Sequence, residues 1–217
     1  MSLDIYVDPC TINCRKVLAG LDLIGTEFNE KYINYFKAEQ KSEAYTKINP
    51  MQTIPAAVHD GFVIPESNAI LQYAADHSKN ESVYPKDLKT RADVNRWLLW
   101  EASVWFQTNY KYVIQNVVQP LLGSEPDKKI ISDEEPNFHK LAGVLDAQLA
   151  KTKFVVGSQP TIADIAIAAP LHLHYYAKAP LDQHPNVARW IADVEQLPSW
   201  KKTEPAVLKA FNLQPRQ

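Results

Sequence analysis

Three short stretches of this 217-residue chain gather side chains able to do chemistry. The first, Asp8-Pro9-Cys10-Thr11-Ile12-Asn13-Cys14, holds the chain's two cysteines. Thiolate rather than thiol is the nucleophile, so a cysteine acts here only where its pKa is lowered. Cys14 recurs with Val17, Leu21 and Ile24 at three- and four-residue intervals, which marks it as a core residue of a helix. Thr11 stands at that helix's start, where its hydroxyl can act as an N-cap. The second stretch, Glu66-Ser67, opens another helical pattern; free amides, the helix dipole and a hydroxyl make an anion site there. Serine is also a preferred N-cap, and both roles can hold because the cap face is the binding face. The third is His172, His174, Tyr175 and Tyr176. Two residues apart on a helix, the histidines point in different directions and have no acid or cysteine partner, so no metal site is expected.

Composition narrows the function classes. Apolar residues are 46%, charged residues 22% and the net charge is -2, which gives no electrostatic reason for a nucleic-acid or anionic-membrane partner. Two cysteines exclude a disulfide-stapled secreted scaffold. The start, MSLDIYVDPC, lacks a basic and a long apolar region, so no signal peptide is expected. The apolar stretch from Ile162 to Leu173 is interrupted by Asp164 and Pro170 and is too short to span a bilayer. A cytoplasmic setting is the simplest expectation.

The elements that must position these residues change character along the chain. Leu3 to Val7 alternates as a strand, a helix runs from Thr11 to a stop at Gly25, and Glu27 to Ile33 suits a second strand. Ala56 to Ile64 reads as a hairpin around Asp60-Gly61, and Glu66 to His77 is helical. A strand-helix-strand unit followed by a hairpin and a closing helix is a compact α/β unit. Polar residues then suggest a linker, and the remainder is helical: Arg91 to Leu122, Asn137 to Ala150 with Pro136 at its start, and a helix opened by Pro185. Thr161 to Asp164 has capping-box spacing. The expected domains are 1–78, a linker over 79–88, and 89–217.

Taken together, these landmarks resemble the cytosolic glutathione transferases over nearly the whole chain. The carriers are Asp8 through Leu18, Lys37 to Lys41, the segment Asn49-Pro50 through Thr53-Ile54-Pro55 that matches a strand before a cis-proline, Glu66 to Ile70, Thr161 to Asp164, and Pro198 to Lys202. The flavour is phi-like or that of the basidiomycete fungal-specific class. The resemblance implies an α+β fold, with a thioredoxin-like glutathione-binding domain followed by an all-α helical domain. It implies a C2 homodimer, glutathione as co-substrate, and neither metal nor prosthetic group.

It also implies a site. Glu66 and Ser67 would take the γ-glutamyl end of glutathione, Ile54 the cysteinyl backbone by strand addition, and Gln40, Lys41 and Thr53 the glycine end. An X–Pro bond is cis in only about 5–6% of folded cases; the resemblance, not that frequency, implies a cis Ile54–Pro55 bond. Gln40 replaces the histidine of the phi pattern and Thr53 a customary glutamine. Thr11 falls on the family's catalytic serine, and Asn13 on an asparagine that some members place near the sulfur. Lowering a free thiol pKa of about 8.5 by two units requires roughly 2.7 kcal/mol. A hydrogen bond to a charged group contributes roughly 1.5–3 kcal/mol and a helix end about 0.3–1 kcal/mol, so a hydroxyl at a helix start suffices. Phe36, Trp105, Phe106, Tyr110 and Tyr112 are the expected wall for a hydrophobic aromatic electrophile, although aromatics at helical spacing more often serve as core or dimer contacts. Two alternatives stand beside conjugation: a non-catalytic ligandin for aromatic metabolites, and a thiol transferase whose nucleophile is Cys10.

Overall fold

The computed structural model describes residues 3–215, so the outer ends of the two expected domains, 1–2 and 216–217, lie outside the described residues. In β1 (Leu3–Val7) the period-two pattern buries Leu3, Ile5 and Val7. β1 pairs in parallel with β2 (Phe28–Tyr32), and α1 (Ile12–Ile24) makes the crossover that a parallel pair requires. Gly25 at φ 79° closes α1, its N–H reaching the Leu21 and Asp22 carbonyls. On its other side β1 pairs antiparallel with β3 (Ala56–His59), which returns as β4 (Phe62–Pro65). Asp60 and Gly61 sit at φ 51° and 81°, the left-handed pair a two-residue hairpin demands. The sheet order is β2-β1-β3-β4.

Between β2 and β3 lie a 3-10 turn (Glu39–Lys41) and the short α2 (Glu43–Thr46). The segment Asn49 to Ile54, matched above to a strand, is instead irregular. Gln52 takes a left-handed φ of 55°, and the Asn49 side chain donates to the Thr53 carbonyl that a strand would give to a neighbour. α3 (Ser67–His77) packs on α1 at Gly20, where a Cβ would stand 2.3 Å from Leu71 Cδ2.

The rest is helical. The Asp87 carboxylate caps α4 (Leu88–Trp100), which runs on through a π-helical stretch (Glu101–Trp105), α5 (Phe106–Val113), a second π stretch (Ile114–Val118) and α6 (Gln119–Leu121). The sequence pattern places the next helix only from Asn137. α7 spans Lys128–Leu149 instead, with Pro136 inside it. Asp127 accepts from the Lys129 and Ile130 amides, and Phe138, Leu141 and Leu145 hold the inner face. Pro136 and Ser132 are both exposed, so the hydrogen bond that proline forgoes is left to water.

α8 (Ile162–Ala168) carries the capping box at Thr161 and Asp164. Asp164 is wholly buried and accepts from the Val155 and Thr161 amides, Thr161 Oγ1 and Trp190 Nε1 at 2.8–3.0 Å. α8 tightens into a 3-10 turn at Ala169–Leu171 around Pro170, so His172 and His174 lie on turns rather than on the helix expected of them. α9 (Pro185–Glu195), α10 (Pro198–Lys201) and α11 (Glu204–Ala210) complete the chain. α1 touches α3, α8 and α10, so the helix behind the chemical loop is held by the closing helix of the α/β domain and by the helical bundle alike. Among the described residues no helix is long and apolar enough to cross a membrane.

Candidate active site

The loop between β1 and α1 is organised by Asp8, a buried carboxylate. Its Oδ1 accepts from Cys10 Sγ at 3.0 Å and its Oδ2 from the Tyr35 amide at 3.0 Å. Cys10 is 3% exposed, and burial followed by the Asp8 contact drives its thiol far above the ordinary range. Cys14 is wholly buried, and burial outweighs the opposing hydrogen bonds to push its thiol up to about 12. In both, burial favours the thiol over the thiolate. Thr11 takes the extended N-cap conformation, yet its side chain does not cap the helix. Instead Thr11 Oγ1 donates to the Asp8 carbonyl at 3.2 Å. It is half-buried at the start of a 13-residue helix, and a hydroxyl can rotate from that carbonyl toward an anion bound at the helix end.

Beside the loop, α1 carries a buried charge. Lys16 is 2% exposed and Glu101 1%; they pair at 2.9 Å. Lys16 Nζ also donates to Ser67 Oγ at 3.1 Å, and Ser67 Oγ in turn to Asn13 Oδ1 at 3.4 Å. Asn68 bridges to Glu101 Oε2 at 3.0 Å. Burial draws the Lys16 pKa down while Glu101 raises it. This relay ties α1, α3 and the π stretch together behind the Glu66-Ser67 corner. Ser67 is the first residue of α3 rather than its N-cap; Glu66 holds that place at φ 71°, ψ 115°. A non-glycine residue at such an angle costs on the order of 1–3 kcal/mol, and its neighbours must hold it there. Sequence reasoning missed Lys16, Asn68 and Glu101. Their signal was available, because α1 reads INCRKVLAGLDLI and has no polar face to receive Arg15 and Lys16.

Opposite this corner, Tyr45 OH and Asn49 Nδ2 both donate to the Thr53 carbonyl, at 2.7 and 2.8 Å. They fix the approach to Ile54–Pro55, whose bond is cis. Gln40 is buried with Oε1 unpartnered among the described residues, while Lys41 and Thr53 are exposed. A carboxylate could meet the Gln40 amide and the Lys41 charge on this edge.

Two cavities meet at the loop. One, of about 550 Å³, is lined by Lys16, Glu66, Ser67, Asn68 and Glu101; the other, of about 330 Å³, by Cys10, Thr11, Tyr35, Phe36, Ile54, Phe106, Tyr110, Val113, His172 and Phe211. Asn13 and Phe106 wall both. Of the five aromatics expected to wall the electrophile, Phe36, Phe106 and Tyr110 line this second cavity. Trp105 and Tyr112 do not. Both are at most 2% exposed and pack on Phe138, and Trp105 Nε1 donates to the Ile167 carbonyl. Residues 105 and 112 are seven apart and share one helix face, turned by about 100° from the face that carries 106, 110 and 113. No group of three side chains able to hold a metal occurs among the described residues.

Comparison with known proteins agrees with this architecture. Residues 2–76 match the model of the glutathione S-transferase N-terminal domain, and residues 109–198 that of the C-terminal domain. Glutathione S-transferase D7 of Drosophila melanogaster is 32% identical over 206 residues, covering 93% of this chain and 88% of that protein. Glutathione transferase F7 from Populus trichocarpa superposes with a TM-score of 0.87 at 27% identity, over 94% of this chain and 99% of that one. A glutathione S-transferase-I bound with lactoylglutathione superposes with a TM-score of 0.85 at 25% identity, over 95% of this chain and 100% of that one. The chain belongs to the glutathione S-transferase family and is an enzyme of that family.

Proposed function

We propose that this transferase binds glutathione along Ser67, the Ile54 backbone and the Gln40–Lys41 edge, and joins its sulfur to an apolar electrophile held in the 330 Å³ cavity. The observation that carries the reading is that Asn13 and Phe106 wall both cavities. A peptide anchored at Ser67 and running past Ile54–Pro55 brings its thiol to the start of α1, facing the acceptor. There the Thr11 hydroxyl, turned from the Asp8 carbonyl, and the helix N-terminus stabilise the thiolate, with Asn13 beside them. The sulfur forms a bond to the electrophilic carbon while a leaving group departs with its electron pair, or while a conjugated carbonyl takes up the thiol's proton. The protein contributes positioning and thiol activation.

The likeness to the poplar enzyme F7 supports a phi-like class, and the transferase bound with lactoylglutathione supports room for a substituent on sulfur. A C2 homodimer is supported by exposed Met51, Phe62, Leu88 and Leu99. Two unpaired cysteines favour a reducing, cytoplasmic setting, and the apolar cavity favours clearance of hydrophobic electrophiles.

One observation favours the ligandin reading: the Thr11 hydroxyl is already engaged by Asp8. Turnover of 1-chloro-2,4-dinitrobenzene with glutathione, measured beside displacement of an apolar dye, separates the two. Conjugation is expected, and dye displacement without turnover would replace the enzyme reading with the binding one. The Asp8 contact and its burial speak against Cys10 as nucleophile, so Cys10→Ser is expected to retain conjugation.

A further inference from the structure

The Lys16 ammonium has three N–H donors and three partners: Glu101 Oε2 at 2.9 Å, Ser67 Oγ at 3.1 Å and Asn68 Oδ1 at 3.3 Å. It keeps no donor for a ligand. Ser67 Oγ accepts from Lys16 and spends its single proton on Asn13 Oδ1, at 3.4 Å. Asn13 is half-buried on the first turn of α1 and lines both cavities. Its Oδ1 is engaged by Ser67, whereas its Nδ2 donates to no group among the described residues.

The Ser67 proton therefore has two claimants. Without glutathione, Asn13 holds it. The γ-glutamyl carboxylate is a charged acceptor, and hydrogen bonds to charged acceptors are roughly twice as strong as those between neutral groups. The bond it must displace is weak, because 3.4 Å lies beyond the usual 2.5–3.0 Å of a hydroxyl donating to oxygen. The carboxylate wins the proton, and the Asn13 side chain loses what held it away from the thiol.

We infer that Asn13 is a donor to the thiolate that glutathione itself releases: the γ-glutamyl carboxylate draws the Ser67 hydroxyl off Asn13 Oδ1, and the freed carboxamide turns its Nδ2 onto the sulfur. This rests on the proposed placement of glutathione, with its γ-glutamyl end at Ser67 and its sulfur at the start of α1. One hydrogen bond is lost and two are made, and the thiol's own proton leaves to solvent. The two ends of the ligand are thereby coupled. A thiol peptide without that carboxylate leaves Asn13 on Ser67 and ionises less readily.

Asn13→Ala is expected to have two effects of opposite sign. S-methylglutathione has no thiolate to stabilise and no longer competes with Asn13 for Ser67, so its Kd should fall about twofold or more. The pKa of bound glutathione should rise by about half a unit or more, a threefold loss in ionisation constant. A residue that merely shaped the site would weaken both. Unchanged or weaker S-methylglutathione binding, or an unchanged thiol pKa, overturns the inference. Ser67→Ala tests the underlying placement separately: if it binds S-methylglutathione as tightly as the wild type does, the γ-glutamyl end does not sit at Ser67. The wild-type protein supplies a check independent of folding. With 15N labelling, S-methylglutathione should move the Asn13 side-chain amide resonance further than its counterpart without the carboxylate, 4-aminobutyryl-S-methylcysteinylglycine; equal shifts overturn the inference.

Discussion

The two cavities that meet at Asn13 are built on opposite principles. The polar one is fixed by a relay from Glu101 through Lys16 and Ser67 to Asn13, each link at 2.9–3.4 Å. Lys16, Ser67 and Asn13 are tied to one another before any ligand arrives, and of that relay's buried atoms only Glu101 Oε1 is left without a partner among the described residues. The apolar one is shaped mainly by aliphatic and aromatic side chains, and Phe106 and Tyr110 stack with centroids 5.6 Å apart. Hydrogen-bonded partners accept one geometry, whereas apolar walls accept a range of shapes. A constant co-substrate suits the first, and a varied set of electrophiles suits the second.

That contrast can be broken in graded steps. Lys16→Met should have the largest effect, leaving Glu101 buried and unpaired and lowering stability by about 3–5 kcal/mol in denaturant unfolding. Trp105→Ala should cost a similar amount, about 3–5 kcal/mol, through the cavity it opens against Phe138. Its neighbour Phe106→Ala should leave unfolding closer to wild type and instead raise the KM for the electrophile. If Trp105→Ala altered electrophile KM without loss of stability, the assignment of the two helix faces would be reversed. The smallest of these effects is expected from Ser67→Ala, which removes one donor to the γ-glutamyl carboxylate. The KM for glutathione should rise about tenfold while the KM for the electrophile stays put; a parallel rise in both would mean that the polar relay shapes the apolar cavity as well.

The same contrast explains what the sequence made legible. Gly25, Asp60-Gly61 and the Thr161–Asp164 box announce backbone geometry within a few residues, and each does in the structure what its type demands. The Glu66-Ser67 corner and the cis Ile54–Pro55 bond came from the family resemblance, which reads order along the chain. Side chains meeting at long range were harder. Glu101 lies 85 residues from Lys16, and only the absence of a polar face on α1 hinted at it. The pocket aromatics failed by helix phase. The π stretch over Glu101–Trp105 takes in extra residues, and one residue is about 100° of rotation. Aromatic composition therefore could not say whether Trp105 or Phe106 faced the cavity. Pro136 misled in the opposite way, since a local breaker yielded to the burial of Phe138, Leu141 and Leu145.

The proposed function has Thr11 activate the sulfur where the two cavities join. Its most direct test is a pH titration of the thiolate absorbance of bound glutathione in the wild type and in Thr11→Val. The wild-type midpoint should lie about two units below the free thiol value of roughly 8.5, and the variant's at least about one unit above the wild type's. A midpoint that Thr11→Val leaves where the wild type has it would contradict the account.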